Sequence, residues 1–221
     1  SSDLEIKQVM FLNKFDYEII VVNDGSKDNS YNILKNLSNK TEELIAINLR
    51  KNYGQTAALA AGFDNASGQI VIALDGDLQN DPNDIPKLIE GIHDGYDLVC
   101  GWRFNRKDKL LDRRIPSKIA NKIIGIVTGI YLHDYGCSLK AFKKEVINDI
   151  KLYGELHRFL PVLADNEGAK IKEVKVNHRS RKYGFSKYGI DRTFRVLMDL
   201  LTVWFMNKFL TRPMYVFGFI G

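Results

Sequence analysis

The chain of 221 residues has little with which to bridge or ligate through sulfur or imidazole: two cysteines, Cys100 and Cys137, and four scattered histidines. With no CxxC pair and no Cys/His cluster, neither a zinc framework nor a disulfide scaffold can be read, which fits a reduced cytosolic compartment. No G-x-G-x-x-G opens a helix after any predicted strand, which argues against a Rossmann dehydrogenase. No nucleic-acid module signature is present either, so nucleic acid is not an expected partner, and the distribution of the net charge of +5 matters more than its sign. The opening Ser1-Ser2-Asp3-Leu4 lacks the pattern of a signal peptide and reads as mid-domain. With 45% hydrophobic and 27% charged residues, the composition suits one globular α/β domain with some extra elements.

Apolar runs and helical patterns alternate along the first half. Strands are expected at 17–22, 44–49, 69–74 and 97–101, with helices at 4–12, 30–37, 55–66 and 85–91 between them. Such alternation predicts a mostly parallel sheet with helices on both faces, and ligands in such sheets sit beyond the carboxyl ends of the strands. Three strand ends then meet on one edge: Asp24, Lys51 with Asn52, and Asp75 with Asp77. The run Gln69 to Leu74 stops abruptly at Asp75-Gly76-Asp77, and alternation in extended chain would point both carboxylates the same way, with Gly76 admitting a ligand closely. Two hard oxygen ligands suit Mg²⁺ or Mn²⁺ completed by water and substrate phosphates, hence a nucleoside diphosphate. The other reading is an acidic turn that caps the next helix, with Asp84 as the cap before Ile85-Pro86.

Beyond Gly101 the chain turns basic, with Arg103, Arg106, Lys107, Lys109, Arg113, Arg114 and Lys118. This stretch reads either as a mobile loop serving the phosphate site or as a solvated charged face. A helix is expected at 117–129, then a turn-rich segment at 133–138, an apolar run at 139–142, a helix at 159–164 and a strand at 171–176. A second basic loop, 179–188, interleaves cations with aromatics. From Thr193 the residues are largely apolar, with Trp204, Phe205 and Phe209 punctuated by Arg195, Lys208 and Arg212. That is the pattern of a helix lying in a membrane interface, or else of a buried core or dimer helix. Residues 214–221 read as an interrupted transmembrane span, too short to cross a bilayer.

Four motifs in order, Val22-Asn23-Asp24-Gly25-Ser26, Arg50-Lys51-Asn52-Tyr53-Gly54-Gln55, Asp75-Gly76-Asp77-Leu78-Gln79 and Gly184-Phe185-Ser186-Lys187-Tyr188, resemble those of the family-two glycosyltransferases that load a sugar onto a polyprenyl phosphate. The segment Asp134 to Lys140 is most similar to the undecaprenyl-phosphate aminoarabinose transferase type. The resemblance implies a GT-A (Rossmann-like) α/β fold, and inverting transfer from a nucleoside-diphosphate sugar, a UDP-sugar by preference, to a polyprenyl phosphate, with Mg²⁺ or Mn²⁺ as cofactor. It places Asp24, Lys51, Asp75 and Gly76 at the nucleotide, Asp77 and Gln79 at the metal, and Asp75, Asp77 and Asp134 in the catalytic set. It leaves Arg103, Arg114, Ser138, Arg179, Arg181 and Lys187 for the acceptor phosphate. The implied layout is a catalytic domain at 1–187, juxtamembrane amphipathic helices at 188–212 and the start of a transmembrane region at 213–221, in a dimer or tetramer on the cytoplasmic side of the cell membrane. The family's first strand, with its Pro-x-Tyr-Asn-Glu segment, has no counterpart here, and its omission from the sequence is the expectation. A sugar transferase with a soluble or polysaccharide acceptor, or a silent nucleotide-binding module at the membrane, are the competing readings.

Overall fold

The computed structural model describes residues 2–104, 115–180 and 198–205. The chain divides into two compact units, residues 1–107 with 136–182, and residues 108–135 with 183–221. In the first unit strand and helix alternate as the hydrophobic pattern predicts: α1 (Ser2–Asn13), β1 (Ile19–Asn23), α2 (Ser30–Ser38), β2 (Leu44–Asn48), α3 (Gln55–Asn65), β3 (Ile70–Ala73), α4 (Ile85–His93) and β4 (Leu98–Arg103). The second unit contributes α5 (Ile115–Thr128), after which the first unit resumes with β5 (Lys140–Lys143), α6 (Lys144–Asp149), α7 (Leu160–Asn166) and β6 (Ile171–Val176).

Helix α4 follows directly from its sequence. Ile85, Leu88, Ile89 and Ile92 fall at i, i+3, i+4 and i+7 and are all buried, in one cluster with Val9 and Met10 of α1, Val99 of β4 and Ala141 of β5. Each such burial is worth about 1.5–3 kcal/mol. Pro86 sits in the first turn, where its missing N–H costs nothing. Asp84 occupies the N-cap position, yet its side chain makes no cap bond. Its carboxylate instead crosses to the end of β6, accepting the Asn177 amide at 2.6 Å and the Lys87 ammonium at 2.5 Å. The capping role expected of Asp84 is thus corrected: it ties two elements together, and Asp81 is the residue that accepts the Asn83 amide at the start of the preceding turn.

The sheet departs from the parallel expectation at β5. Pairings β1–β2 and β4–β6 are parallel, but β5 runs antiparallel between β3 and β4, with Ile70 opposite Lys143 and Leu98 opposite Phe142. The strand–helix alternation that enforces parallel crossovers lapses after β4, where the chain leaves for the second unit and re-enters through a turn.

Among the described residues β1 pairs only with β2 and β3 only with β5, so the strands form two sheets, β1-β2 and β3-β5-β4-β6. Between β1 and β3 lies a cleft of about 830 Å³, walled by Ile19, Ile20 and Val22 on one side and Ile70 to Leu74 on the other. Residues Leu59 and Phe63 of α3, Ile85 and Ile89 of α4, and Ile6 and Met10 of α1 complete its lining. One end is tied across: the Glu18 carboxylate accepts the Ser67 amide and hydroxyl, both at 2.7 Å, and the Gly68 amide at 3.1 Å.

In the second unit α5 ends at Gly129, whose φ of 81° is a left-handed cap and whose amide bonds the Gly125 carbonyl at 2.9 Å. Ile124 is buried, whereas Ile119, Ile123 and Ile126, at i, i+4 and i+7, are 56%, 37% and 63% exposed. Residues 198–205 are helical, with Leu200 and Val203 buried and Met198 and Leu201 exposed. Among the described residues no helix is long and apolar enough to cross a membrane. The expected transmembrane start at 213–221 and most of the expected juxtamembrane segment lie outside the described residues.

Candidate functional site

The site is built where β1, β2 and β3 end. Asn23 closes β1 by donating its side-chain amide to Asn48 Oδ1 at 2.7 Å, which locks the ends of β1 and β2 side by side. Asp24 follows, and its two carboxylate oxygens accept the backbone N–H groups of Tyr53 at 2.7 Å and Gly54 at 2.9 Å, while its carbonyl accepts Asn52 Nδ2 at 3.1 Å. Asp24 therefore holds the second strand-end loop against the first. Lys51 rests over the ring of Tyr53, 5.1 Å from its centroid.

Gly25 is required for this approach. Its φ is +64°, and a Cβ there would stand 2.3 Å from the Lys51 carbonyl carbon and 2.5 Å from the Asn52 nitrogen. Gly25→Ala should separate the two loops, with a stability loss of roughly 1–3 kcal/mol. Chemical denaturation together with amide hydrogen exchange at Tyr53 and Gly54 checks this, and a variant matching wild type in both would show that the loops do not need this contact.

The next link runs from Gln55, at the start of α3, whose Nε2 donates to Asp75 Oδ1 at 2.9 Å. Asp75 also accepts the hydroxyl of Ser138, which itself accepts Asn80 Nδ2 at 2.8 Å, so a relay Asn80–Ser138–Asp75 crosses the strand ends. Burial raises the Asp75 carboxyl above its ordinary range, and the Asp77 charge adds to that rise; Ser138, Lys140 and Arg103 pull the other way. Lys140 is almost fully buried on β5 and donates its ammonium to the Cys137 carbonyl.

The geometry of the acidic pair differs from the sequence expectation. β3 stops at Ala73, and residues 76–78 turn rather than extend, so strand alternation is not what brings Asp75 and Asp77 together. Asp77 Oδ1 accepts the Gln79 amide at 3.1 Å, and Leu78 lies in the left-handed region at φ +64°, a rare and costly backbone for a branched side chain. Gly76 is exposed, and a Cβ there would meet nothing within 4 Å, so its surroundings are open to a ligand. Gln79 donates Nε2 to the Arg179 carbonyl at 3.4 Å.

Of the cations expected at an acceptor phosphate, Arg103 ends β4 and acts on Asp75. The two terminal nitrogens of Arg179 bond Glu5 at 2.5 Å and Asp81 at 2.8 Å, so a phosphate there would have to displace a carboxylate. Arg114, Arg181 and Lys187 lie outside the described residues. Asp134 is buried and belongs to the second unit. Sequence reasoning assigned no role to Gln55, Asn80 or Lys140; Lys140, a cation flanked by apolar residues, carried the clearest signal, since a buried charge is costly unless paired.

No group of three or more His, Cys, Asp or Glu side chains able to hold a metal occurs among the described residues. The donor set on offer is Asp77 and Gln79 beside Asp75, and a divalent cation would relieve the repulsion between the two carboxylates. It fits Mg²⁺ or Mn²⁺ shared with a diphosphate rather than an all-protein cage.

The comparisons with known proteins follow the same lines. The chain is 47% identical over 209 residues to the dodecaprenyl-phosphate galacturonate synthase of Rhizobium johnstonii, covering 93% of this chain and 62% of that one. It is 37% identical over 206 residues to the undecaprenyl-phosphate 4-deoxy-4-formamido-L-arabinose transferase of Aeromonas hydrophila, covering 93% and 61%. The chain thus spans about three fifths of the length of these curated relatives. In fold it resembles the glucosyl-3-phosphoglycerate synthase of Mycobacterium tuberculosis, solved with Mn²⁺, uridine diphosphate and phosphoglyceric acid, at a TM-score of 0.64 and 16% identity, covering 86% of this chain and 67% of that one. The model of the family described as glycosyl transferase family 2 matches residues 6–151, and the chain, a Rossmann-like α/β fold of the GT-A kind, belongs to that family.

Proposed function

We propose that this chain is the catalytic part of an inverting glycosyltransferase that moves a sugar from a nucleoside-diphosphate donor, UDP-linked by preference, to a polyprenyl phosphate at the cytoplasmic face of the cell membrane. The observation that carries the reading is the convergence on Asp75 of Gln55, Asp77, Ser138, Lys140 and Arg103, beyond the ends of three strands. The names of the two relatives, both polyprenyl-phosphate enzymes, support the acceptor class.

The chemistry needs little from the protein beyond placement and charge. A phosphate monoester is already an oxyanion at neutral pH, its second ionisation lying near about 6, so no strong base is required. Its oxygen attacks the anomeric carbon from the face opposite the leaving diphosphate, the bond to that diphosphate breaks, and the configuration inverts. Asp77 and Gln79 would hold Mg²⁺ or Mn²⁺, which when bound neutralises charge building on the diphosphate. Asp24, Lys51 and the open ground at Gly76 would seat the nucleotide. Arg103, at the end of β4 and acting on Asp75, would offset repulsion between anionic donor and anionic acceptor, with Arg114, Arg181 and Lys187 as further cations and Asp134 and Ser138 orienting the acceptor.

Two further parts belong to this proposal. The cleft between β1 and β3 would be filled by the first strand that the family carries; two facing strand edges and apolar residues from three helices support that occupant. The exposed isoleucines of α5 and the exposed Met198 and Leu201 support contact with lipid. A polyprenyl tail leaves the bilayer at a cost of about 0.8 kcal/mol per methylene, so the enzyme has to work at the headgroup layer.

The test is thin-layer analysis of labelled lipid after incubation of the full-length protein with a panel of nucleotide sugars, polyprenyl phosphate and Mg²⁺ or Mn²⁺. A labelled polyprenyl-phosphate sugar is expected from one donor. Label passing only to a soluble acceptor, or nucleotide binding with no transfer at all, would overturn the reading. Replacing Leu201 by a polar residue should reduce turnover on a long carrier selectively, and an equal loss on a short water-soluble analogue would return the helix to a core role.

A further inference from the structure

The loop carrying Asp77 and Gln79 is stitched to residues 177–179, which lead into the second basic stretch. The Arg179 amide donates to the Gln79 carbonyl at 2.9 Å, Asn80 forms a bridge with His178, and the Asn177 amide donates to Asp84. The side chain of Arg179 closes the seam, with Nη2 on Asp81 Oδ1 at 2.8 Å and Nη1 on Glu5 Oε2 at 2.5 Å. A planar guanidinium can meet two separate carboxylates at once, which a single ammonium does less well.

Upstream of this seam stands Leu78, at φ +64°. A left-handed backbone at a residue other than glycine costs about 1–2 kcal/mol and persists only where its surroundings over-determine it. Here the determinants lie on both sides: the Asp77 carboxylate bonded to the Gln79 amide before it closes, and Arg179 on Asp81 after it.

We propose that Arg179 is a positioning residue: by spanning Asp81 and Glu5 it holds the Leu78–Asp81 turn in its strained form and so keeps Asp77 and Gln79 placed for a nucleotide-bound divalent cation. The proposal rests on the metal role given to Asp77 and Gln79 above.

The test compares Arg179→Met, Arg179→Lys and wild type by three readouts: Mn²⁺ affinity in the presence of UDP, followed by the free-ion paramagnetic resonance signal; amide hydrogen exchange at residues 78–81; and kcat against KM for both substrates. Residues just behind metal ligands typically alter affinity by about 10–100-fold when replaced, and Arg179→Met should weaken Mn²⁺ binding within that range. Exchange at 78–81 should rise and kcat at saturating Mn²⁺ should largely recover, with Arg179→Lys intermediate in each. Unchanged Mn²⁺ affinity with unchanged exchange would overturn the proposal. So would a raised KM for polyprenyl phosphate with Mn²⁺ affinity intact, which would make Arg179 a direct acceptor contact. Because the exchange measurement needs neither metal nor acceptor, a wild-type protein that transfers no sugar to lipid would sink the functional reading and leave this one standing.

Discussion

Asp77→Ala is expected to lose at least about a thousand-fold in turnover while unfolding close to the wild-type temperature. The activity loss follows from the metal role proposed for Asp77, since Lewis-acid stabilisation of a leaving group is worth several kcal/mol and each 1.36 kcal/mol is tenfold in rate. The stability outcome follows from Asp75. Its carboxyl is raised by burial and by the Asp77 charge. A carboxyl whose folded pKa lies above its unfolded value costs stability at neutral pH, and that cost fades as pH falls through the folded value into the ordinary carboxylate range. Taking away Asp77 removes one of the two causes but also the bond to the Gln79 amide, so the two effects oppose each other and the variant should stay within about 1 kcal/mol of wild type at pH 7. Addition of Mn²⁺ with UDP should raise the unfolding temperature of the wild type and leave the variant unmoved. Wild-type turnover with unchanged metal dependence in Asp77→Ala would rule out the ligand role.

The largest stability effect is expected at Asp84, which is fully buried. Its carboxylate receives the Asn177 amide at 2.6 Å and the ammonium of Lys87 at 2.5 Å. Asp84→Ala strands the amide of Asn177 beside an apolar cluster, and losing a charge-assisted bond to a buried group costs about 2–4 kcal/mol. For a chain of this size that lowers the unfolding midpoint by roughly 5–10 °C. Asp84→Asn keeps the shape and one acceptor, so it should lose about half as much. Lys87 is largely exposed, and Lys87→Ala should cost less than about 1 kcal/mol. Should all three variants melt together with wild type, the tie between the start of α4 and the end of β6 is not made in solution.

The sequence displayed some of this clearly and hid the rest for physical reasons. The strand before Asp75 was legible because an apolar run ending at carboxylates leaves few alternatives, and α4 because four isoleucine and leucine positions share one helical face. The meeting of Asp24, the loop at 50–55 and Asp75 was legible from strand ends alone, since parallel neighbours start and stop together. What alternation could not say was where β3 ends. Two residues of turn in place of extended chain reverse the logic by which Asp75 and Asp77 were paired. Arg179 looked like a phosphate ligand because a cation in a basic run has no visible partner in sequence, and Glu5 is more than 170 positions away. Asp84 was misread through the opposite error, in which a local rule supplied a partner and hid the distant one. The antiparallel course of β5 escaped because its direction depends on a detour into the second unit, which hydrophobic period does not record.

The opposed edges of β1 and β3 have a consequence for handling the protein in solution. An open strand edge is a template for backbone pairing, and two of them flanking an apolar trough make a receptor for any extended, β-branched segment offered at sufficient concentration. The strand proposed to fill that trough would therefore gain main-chain pairing on both of its edges together with apolar burial, an attachment that added salt does not screen. The same trough would then serve as the joint of a split enzyme, with activity switched on by the arrival of one strand.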